Sequence, residues 1–415
     1  MKTRMVKYLR NLLMLGSCAC LLVRPASAAA PFFQDQQLFT PTATNYYHIP
    51  GLAVTAKGTV LAYAAWRDVT SMDWGKIYVV MRRSTDGGKT WSAEQKIAPG
   101  GTPPPAIVRT TPPKAKGHTN DIVVDNCMVI PDQNGAVHVL YCVEYRRVFY
   151  LRSDDDGVTW SLPVEISSVF EKYRAQMDWK IIATGPGHGI QLKNGRLVVP
   201  LWIATGGKEG YAHHPSLTSV TYSDDHGASW HAGDIVAQTT GRGDDPKVYH
   251  DPNETSAVQL ADGKVLFNIR APSAHHHRLQ SVSADGATGW SKPEFVEDLP
   301  DPIVFGSIVR LSEKPHSDQN RLLFSIDTGT AITKKKKDYD DQGFQRTDMG
   351  IFMSLDEGKT WPVKKVIHAG PCGCGYSDLA VLPDGTILCA YGSGSNFGKN
   401  AGIALARFNL EWLTK

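Results

Sequence analysis

The chain has 415 residues, a formal net charge of +3, 20% charged side chains and 42% hydrophobic ones. That balance belongs to an ordinary soluble globular protein and excludes a disordered or fibrous chain. A charge so close to zero argues against nucleic acid or an acidic membrane surface as a partner.

Residues 1–28 read as an export signal. Lys2, Arg4, Lys7 and Arg10 form a basic stretch, residues 12–23 an apolar one, and Ala26-Ser27-Ala28 a small-residue cleavage site. The apolar stretch runs for about a dozen residues, short of the roughly 18 that suggest a membrane-spanning helix. The expected product is a secreted or periplasmic protein, residues 29–415, forming a single domain and a monomer with no membrane span. Lipoprotein anchoring at Cys18, in Leu15-Gly16-Ser17-Cys18, is the alternative. Five cysteines follow the cleavage site: Cys127, Cys142, Cys372, Cys374 and Cys389. An odd number leaves at least one thiol free. Cys372-Gly373-Cys374 is too close for a relaxed bridge of its own and lacks the histidines of a zinc site. Cys127, Cys142 and Cys389 are expected to be buried thiols on strands, while pairing of Cys372 across a loop stays open.

One pattern then recurs: Ser, any residue, Asp, any, Gly, any, Thr or Ser, Trp. It occupies Ser84-Thr85-Asp86-Gly87-Gly88-Lys89-Thr90-Trp91 and residues 153–160, 223–230 and 354–361. A degenerate copy at 283–290 keeps Asp285 and Trp290 in register, with Gly286 one place early. The copies start about 60 to 71 residues apart, which is a repeat period. Asp can cap its own turn by accepting backbone N–H bonds, Gly takes a conformation barred to other residues, and Ser or Thr adds a local bond. Trp is expected to bury its ring and pin the turn to the sheet. These boxes read as structural hairpin turns, preceded by β-rich runs such as Ile77-Tyr78-Val79-Val80-Met81.

Between boxes the chain alternates strand and turn. Gly58-Thr59-Val60-Leu61-Ala62-Tyr63, Ala136-Val137-His138-Val139-Leu140-Tyr141, Arg196-Leu197-Val198-Val199-Pro200, Lys264-Val265-Leu266-Phe267-Asn268 and Thr386-Ile387-Leu388-Cys389-Ala390 each follow a Gly-containing turn. No long stretch has helical periodicity. Repeating four-stranded units of this length point to blades around an axis. Five boxes plus a closing blade make an all-β, six-bladed β-propeller.

The boxes alone identify a propeller; the segments between them are more specific. They include Tyr47-His48-Ile49-Pro50, Gly185-Pro186-Gly187-His188-Gly189-Ile190-Gln191-Leu192 with Asn194-Gly195-Arg196-Leu197, Asn253-Glu254 leading into Asn268-Ile269-Arg270, and Tyr376-Ser377-Asp378-Leu379. In these motifs, their order and their spacing, the chain resembles the bacterial sialidases over nearly its whole mature length. The resemblance implies an exo-acting, retaining glycosidase that releases terminal sialic acid from glycoconjugates. Such a substrate carries a carboxylate on its anomeric carbon, so a carboxylate nucleophile would meet like charge. A neutral phenol avoids this if a base takes its proton, and sialidases are the known tyrosine-nucleophile exception among glycosidases.

Tyr376 matches the family's nucleophile and Glu254 its activating base. The family carries its acid/base aspartate about 25 residues after the arginine of an Arg-Ile-Pro motif, and Asp73 stands at that offset from His48. Asp68 in the same loop is the competing choice. Trp74 is expected to desolvate the Asp73 carboxyl and raise its pKa. Three arginines hold the substrate carboxylate in the family, because guanidinium offers paired donors. Arg270 and Arg346 match the second and third; Arg310 sits on an expected strand and outside the motif.

His48 stands where the first arginine belongs, and this departure leaves the sugar open. In one reading, the substrate and the catalytic carboxyls protonate His48, and sialic acid is cleaved with activity falling as pH rises. In another, the pocket is re-tuned for a related keto-acid or a uronic acid. In a third, the propeller binds glycans without cleaving them. A structural alternative has His48 packing in its strand while Arg67 substitutes as the basic group. The expected partners are sialylated or related acidic glycans, and the chemistry requires no cofactor or metal. His275-His276-His277 reads as a solvated loop, since neighbours on one strand cannot all face one ion. The lysine run 334–337, followed by Asp338, Asp340 and Asp341, likewise reads as a solvated loop.

Overall fold

A computed structural model describes residues 29–100, 117, 120–206, 213–243, 245, 247–329, 346–373, 375–394 and 400–415. The export segment with Cys18, Cys374 and the lysine run 334–337 with its acidic neighbours lie outside the described residues.

Six antiparallel sheets follow one another along the chain as blades 1 to 6, at residues 45–96, 124–165, 181–238, 255–300, 307–371 and 377–408. Each of the described sheets is a meander in which consecutive strands pair. Blade 3 is the irregular one: its inner strand is split into Ile181–Thr184 and Ile190–Gln191, and a 3-10 helix, Ser167–Ala175, precedes it. Blade 6 takes its outermost strand, Phe33–Phe39, from the start of the propeller, paired antiparallel to Gly402–Phe408. The ring is thereby closed by hydrogen bonds between its first and last strands. The second strands fall where the Gly turns placed them, at Val60–Asp68, Val137–Val143, Leu197–Ala204, Val265–Ile269 and Ile387–Ser393.

The boxes connect third to fourth strands and act as turns. In the first, Asp86 Oδ1 accepts the Thr90 N–H at 2.9 Å, and Ser84 Oγ accepts the Gly88 N–H at 2.8 Å. The same bonds recur at Asp155, Asp225 and Asp356, and the degenerate copy makes equivalent ones through Asp285 to Thr288. The Gly of each regular box has positive φ, from 77° at Gly157 to 87° at Gly358. These bonds hold the Asp155 and Asp225 carboxyls down at about 2.

The boxes also join neighbouring blades. Asp156 reaches back to Thr59 and accepts from Arg83, His226 pairs with Asp132 at 2.7 Å, and Glu357 accepts the Ala261 N–H at 2.9 Å. Asp155→Ala is expected to cost about 1–3 kcal/mol through loss of charge-assisted bonds, with kcat unchanged. An unshifted denaturation midpoint would contradict this account of the boxes.

In such a meander the third-to-fourth turns and the first-to-second turns share one face of the ring. The starts of the inner strands and the second-to-third loops share the other. At the axis, buried Asp378 ties three blades together. It accepts the Leu52 N–H at 2.8 Å and the Ser307 hydroxyl at 2.6 Å, and contacts His188 Nδ1 at 2.8 Å. Gly187 passes so close that a Cβ there would stand 2.6 Å from the Phe305 ring. Cys127, Cys142 and Cys389 are buried free thiols; Cys372 is buried too, and its Sγ donates to the Gly370 carbonyl at 3.5 Å. Among the described residues, no helix is long and apolar enough to cross a membrane.

Candidate active site

All seven side chains singled out in the sequence line one cavity of about 230 Å³: His48, Arg67, Asp73, Glu254, Arg270, Arg346 and Tyr376. Their positions explain the convergence. His48 lies on the inner strand of blade 1, while Glu254 and Tyr376 immediately precede the inner strands Thr255–Gln259 and Ser377–Val381. Arg270 follows the second strand of blade 4, Asp73 lies in the second-to-third loop of blade 1, and Arg346 precedes the third strand of blade 5. All of these points lie on the face opposite the boxes.

The Tyr376 hydroxyl donates to Glu254 Oε1 at 2.5 Å. Arg270 Nη1 donates to Glu254 Oε2 at 2.5 Å and to the Tyr376 oxygen at 2.9 Å. Burial, then the Glu254 carboxylate, pushes the phenol far above its ordinary range, against the opposing charges of Arg270 and Arg346. The phenol is therefore neutral at rest and needs a base at the moment of attack, and Glu254 is already in contact. Arg346 faces the same ring, its guanidinium carbon 5.6 Å from the Tyr376 centroid. Gly375 makes room for it: φ is 74°, and a Cβ there would stand 2.6 Å from Arg346 Cδ.

Across the cavity, Arg67 Nη1 donates to Asp73 Oδ1 at 2.7 Å and Nη2 to Asp125 Oδ2 at 2.5 Å. Arg67 is 1% exposed and Asp125 fully buried, whereas the Asp73 side chain is 42% exposed and opens to the cavity. Asp68 accepts from Thr70 N and Oγ1 at 2.9 and 2.7 Å in its own turn, which leaves Asp73 as the carboxyl that this loop brings to the cavity. Arg310 is engaged with Glu357 and the Gln259 carbonyl and does not line the cavity.

Three expectations need correction. Burial acts to raise the pKa of Asp73, but Arg67, with His213 and Arg346, outweighs it and holds the carboxyl below its ordinary value. Trp74 does not set the direction; it packs on Tyr145 at 5.0 Å and His213 at 6.0 Å. Secondly, the protein's own groups do not raise His48. Burial, then Arg67, Arg346 and Arg270, pushes it well below the imidazole range. Its Nδ1 accepts the Ile49 N–H at 2.6 Å, which places the ring proton on Nε2, and the ring meets Tyr376 edge-on at 4.6 Å. Thirdly, Arg67 reaches the pocket but is neutralised by two carboxylates, so it is no simple replacement for the missing arginine.

The sequence reading missed Asp125, Asn126, Tyr145, Trp202, His213 and His214, of which all but Asp125 line the cavity. The signal for Asp125 and Asn126 lies in the repeat: they occupy the start of the inner strand of blade 2, the position that supplies His48, Glu254 and Tyr376 in other blades. Both His48 and Asn126 are followed by a register shift, and Ile49, Asn126 and Tyr145 have φ of 55°, 52° and 49°. Such backbone costs of order 1–3 kcal/mol per residue and is concentrated at functional sites. Here the bulges re-aim side chains into the cavity.

Comparison with known proteins agrees with this fold. The family model described as a BNR repeat-like domain matches residues 62–389. The chain is 29% identical over 410 residues to a sialidase of Micromonospora viridifaciens, covering 92% of this chain but only 55% of that protein's length. It is 27% identical over 431 residues to sialidase-3 of Bos taurus, covering 90% of this chain and 91% of the bovine one. The solved structure of a Hadza microbial sialidase superposes with a TM-score of 0.66 at 21% identity, over 89% of this chain and 66% of the other. With box repeats, propeller and relatives in agreement, the chain belongs to the BNR repeat-like family, in the company of sialidases.

Proposed function

We propose that the protein is an exo-acting, retaining glycoside hydrolase that removes terminal sialic acid from glycoconjugates. The observation that carries the reading is the 2.5 Å contact of the Tyr376 hydroxyl with Glu254, with Arg270 on both and Asp73 in the same cavity. Arg270 and Arg346 seat the substrate carboxylate. Glu254 takes the phenolic proton as Tyr376 attacks the anomeric carbon, and Asp73 protonates the departing oxygen. Water, activated by the Asp73 carboxylate, then releases the sugar with its configuration retained. The cavity is below the roughly 300–1,000 Å³ of sites that enclose drug-sized ligands and suits one terminal sugar. Export, on the strength of residues 1–28, completes the reading with a substrate outside the cytoplasm.

Release of a fluorogenic sialoside between acid and neutral pH tests the activity, with Tyr376→Phe as the inactive control. No turnover at any pH by folded protein would overturn it. A glycan array on the Tyr376→Phe protein identifies the sugar; signal on uronic-acid or other keto-acid glycans alone would favour the re-tuned pocket. His48→Arg is the sharper comparison. Burial and the surrounding arginines disfavour charge on His48, whereas arginine always brings its charge and paired donors, so His48→Arg is expected to lower KM for sialosides by about tenfold or more. His48→Gln is expected to leave the shape of the pH profile unchanged. Complete loss of turnover in folded His48→Arg protein would show a pocket built around imidazole.

A further inference from the structure

The loop that leaves Arg270 carries three consecutive histidines, and the structure sorts them. The His275 and His277 rings lie together, their centroids 4.4 Å apart. His276 between them has φ of 55°, and its carbonyl accepts the Asp301 N–H. The neighbouring strand, Glu294–Pro300, bulges at this point: His277 pairs with Pro300 but Leu279 with Phe295. The extra residues bring Glu297 across to the histidines, with His275 Nε2 3.1 Å from both of its carboxylate oxygens.

One ligand atom from each of His275, His277 and Glu297 lies within 4.8 Å of the other two. Ligands of a tetrahedral zinc ion with bonds of about 2.1 Å stand roughly 3.4 Å apart, so small side-chain rotations close the gap. The tautomer of His277 is already set. His277 Nδ1 meets the His275 carbonyl at 2.5 Å, as a donor must, which leaves the Nε2 lone pair for a metal. The His275 ring is backed by Phe295 at 4.8 Å.

We propose that His275, His277 and Glu297 form a binding site for a late first-row divalent cation, zinc foremost, between the third and fourth strands of blade 4. Two imidazoles and one carboxylate select such ions over magnesium or calcium, which take oxygen ligands. Three protein ligands leave the fourth position to water. The ion would pin the loop following Arg270 to the outer strand of blade 4. Because the triad is separate from the sugar pocket, the site stands whether or not the glycosidase reading does.

The test uses the exported form of the chain without a polyhistidine tag, stripped with chelator and dialysed against zinc, with magnesium and calcium in parallel. Wild type is expected to retain one equivalent of zinc and to give visible cobalt absorption bands of tetrahedral intensity. His275→Ala/His277→Ala is expected to lose both signals. Glu297→Gln, an exposed change that spares the fold, is expected to weaken zinc binding at least tenfold. The proposal is overturned if wild type retains no zinc, if the variants retain as much as wild type, or if magnesium and calcium bind equally well.

Discussion

Tyr376→Phe is expected to lower kcat by at least about 10³-fold, some 4 kcal/mol of barrier, while the protein stays folded. The change removes one oxygen, and with it the bonds to Glu254 and Arg270. The ring, the ring-on-edge packing of His48 and the approach of Arg346 remain. Glu254→Gln is expected to fall by a similar factor, because an amide cannot take the phenolic proton. The double variant should be little worse than either single one, since nucleophile and base act as a unit. Steady-state kinetics with a fluorogenic sialoside, alongside thermal denaturation, measures all three. Additive losses in the double variant would mean that Glu254 serves another purpose than activating Tyr376.

Asp73→Ala should separate substrates by their leaving groups. A natural glycan leaves as a poor alkoxide that needs a proton, and general acid catalysis is worth about 10²–10⁴-fold. Loss of that order is expected on sialylated oligosaccharides. A far smaller loss is expected on an aryl sialoside, whose leaving group departs without help. The pH dependence has a definite sign. Arg67 holds Asp73 below the ordinary carboxylate range, so its protonated fraction falls as pH rises through the acid region. For wild type, kcat/KM on oligosaccharides is expected to decline toward neutral pH, and Asp73→Ala to flatten that decline. Equal losses on both kinds of substrate would remove Asp73 from the acid role.

The box repeat was legible because each copy solves its turn locally: Asp86, Ser84 and Gly88 satisfy one another within a few residues. The second strands were legible for the same reason, each announced by a Gly turn. Blade 5 was not, since its second strand, Arg321–Asp327, follows a turn without glycine. The site residues were legible as motifs, but their electrostatics were not. The Arg67 bond to Asp125 spans 58 residues and two blades, and it is this pairing that occupies the guanidinium. The pKa of Asp73 was misjudged from its neighbour Trp74 because adjacency in sequence says little about which charge lies across a cavity. The surroundings of His48 were hidden likewise, since three arginines from blades 1, 4 and 5 lower its pKa. In the histidine triplet, alternation argues against three adjacent ligands, and the cross-strand Glu297 that joins His275 and His277 could not be read from the sequence.

The strand Phe33–Phe39 completes the last sheet of the ring by pairing with Gly402–Phe408. A ribosome delivers Phe33–Phe39 long before Gly402–Phe408, and a nascent propeller must wait with an unpaired edge until both are present. His48 and Asp73 emerge early, Arg346 and Tyr376 late, so no truncated intermediate holds an assembled pocket. The full set of pocket side chains therefore comes together only after blade 6 has been made.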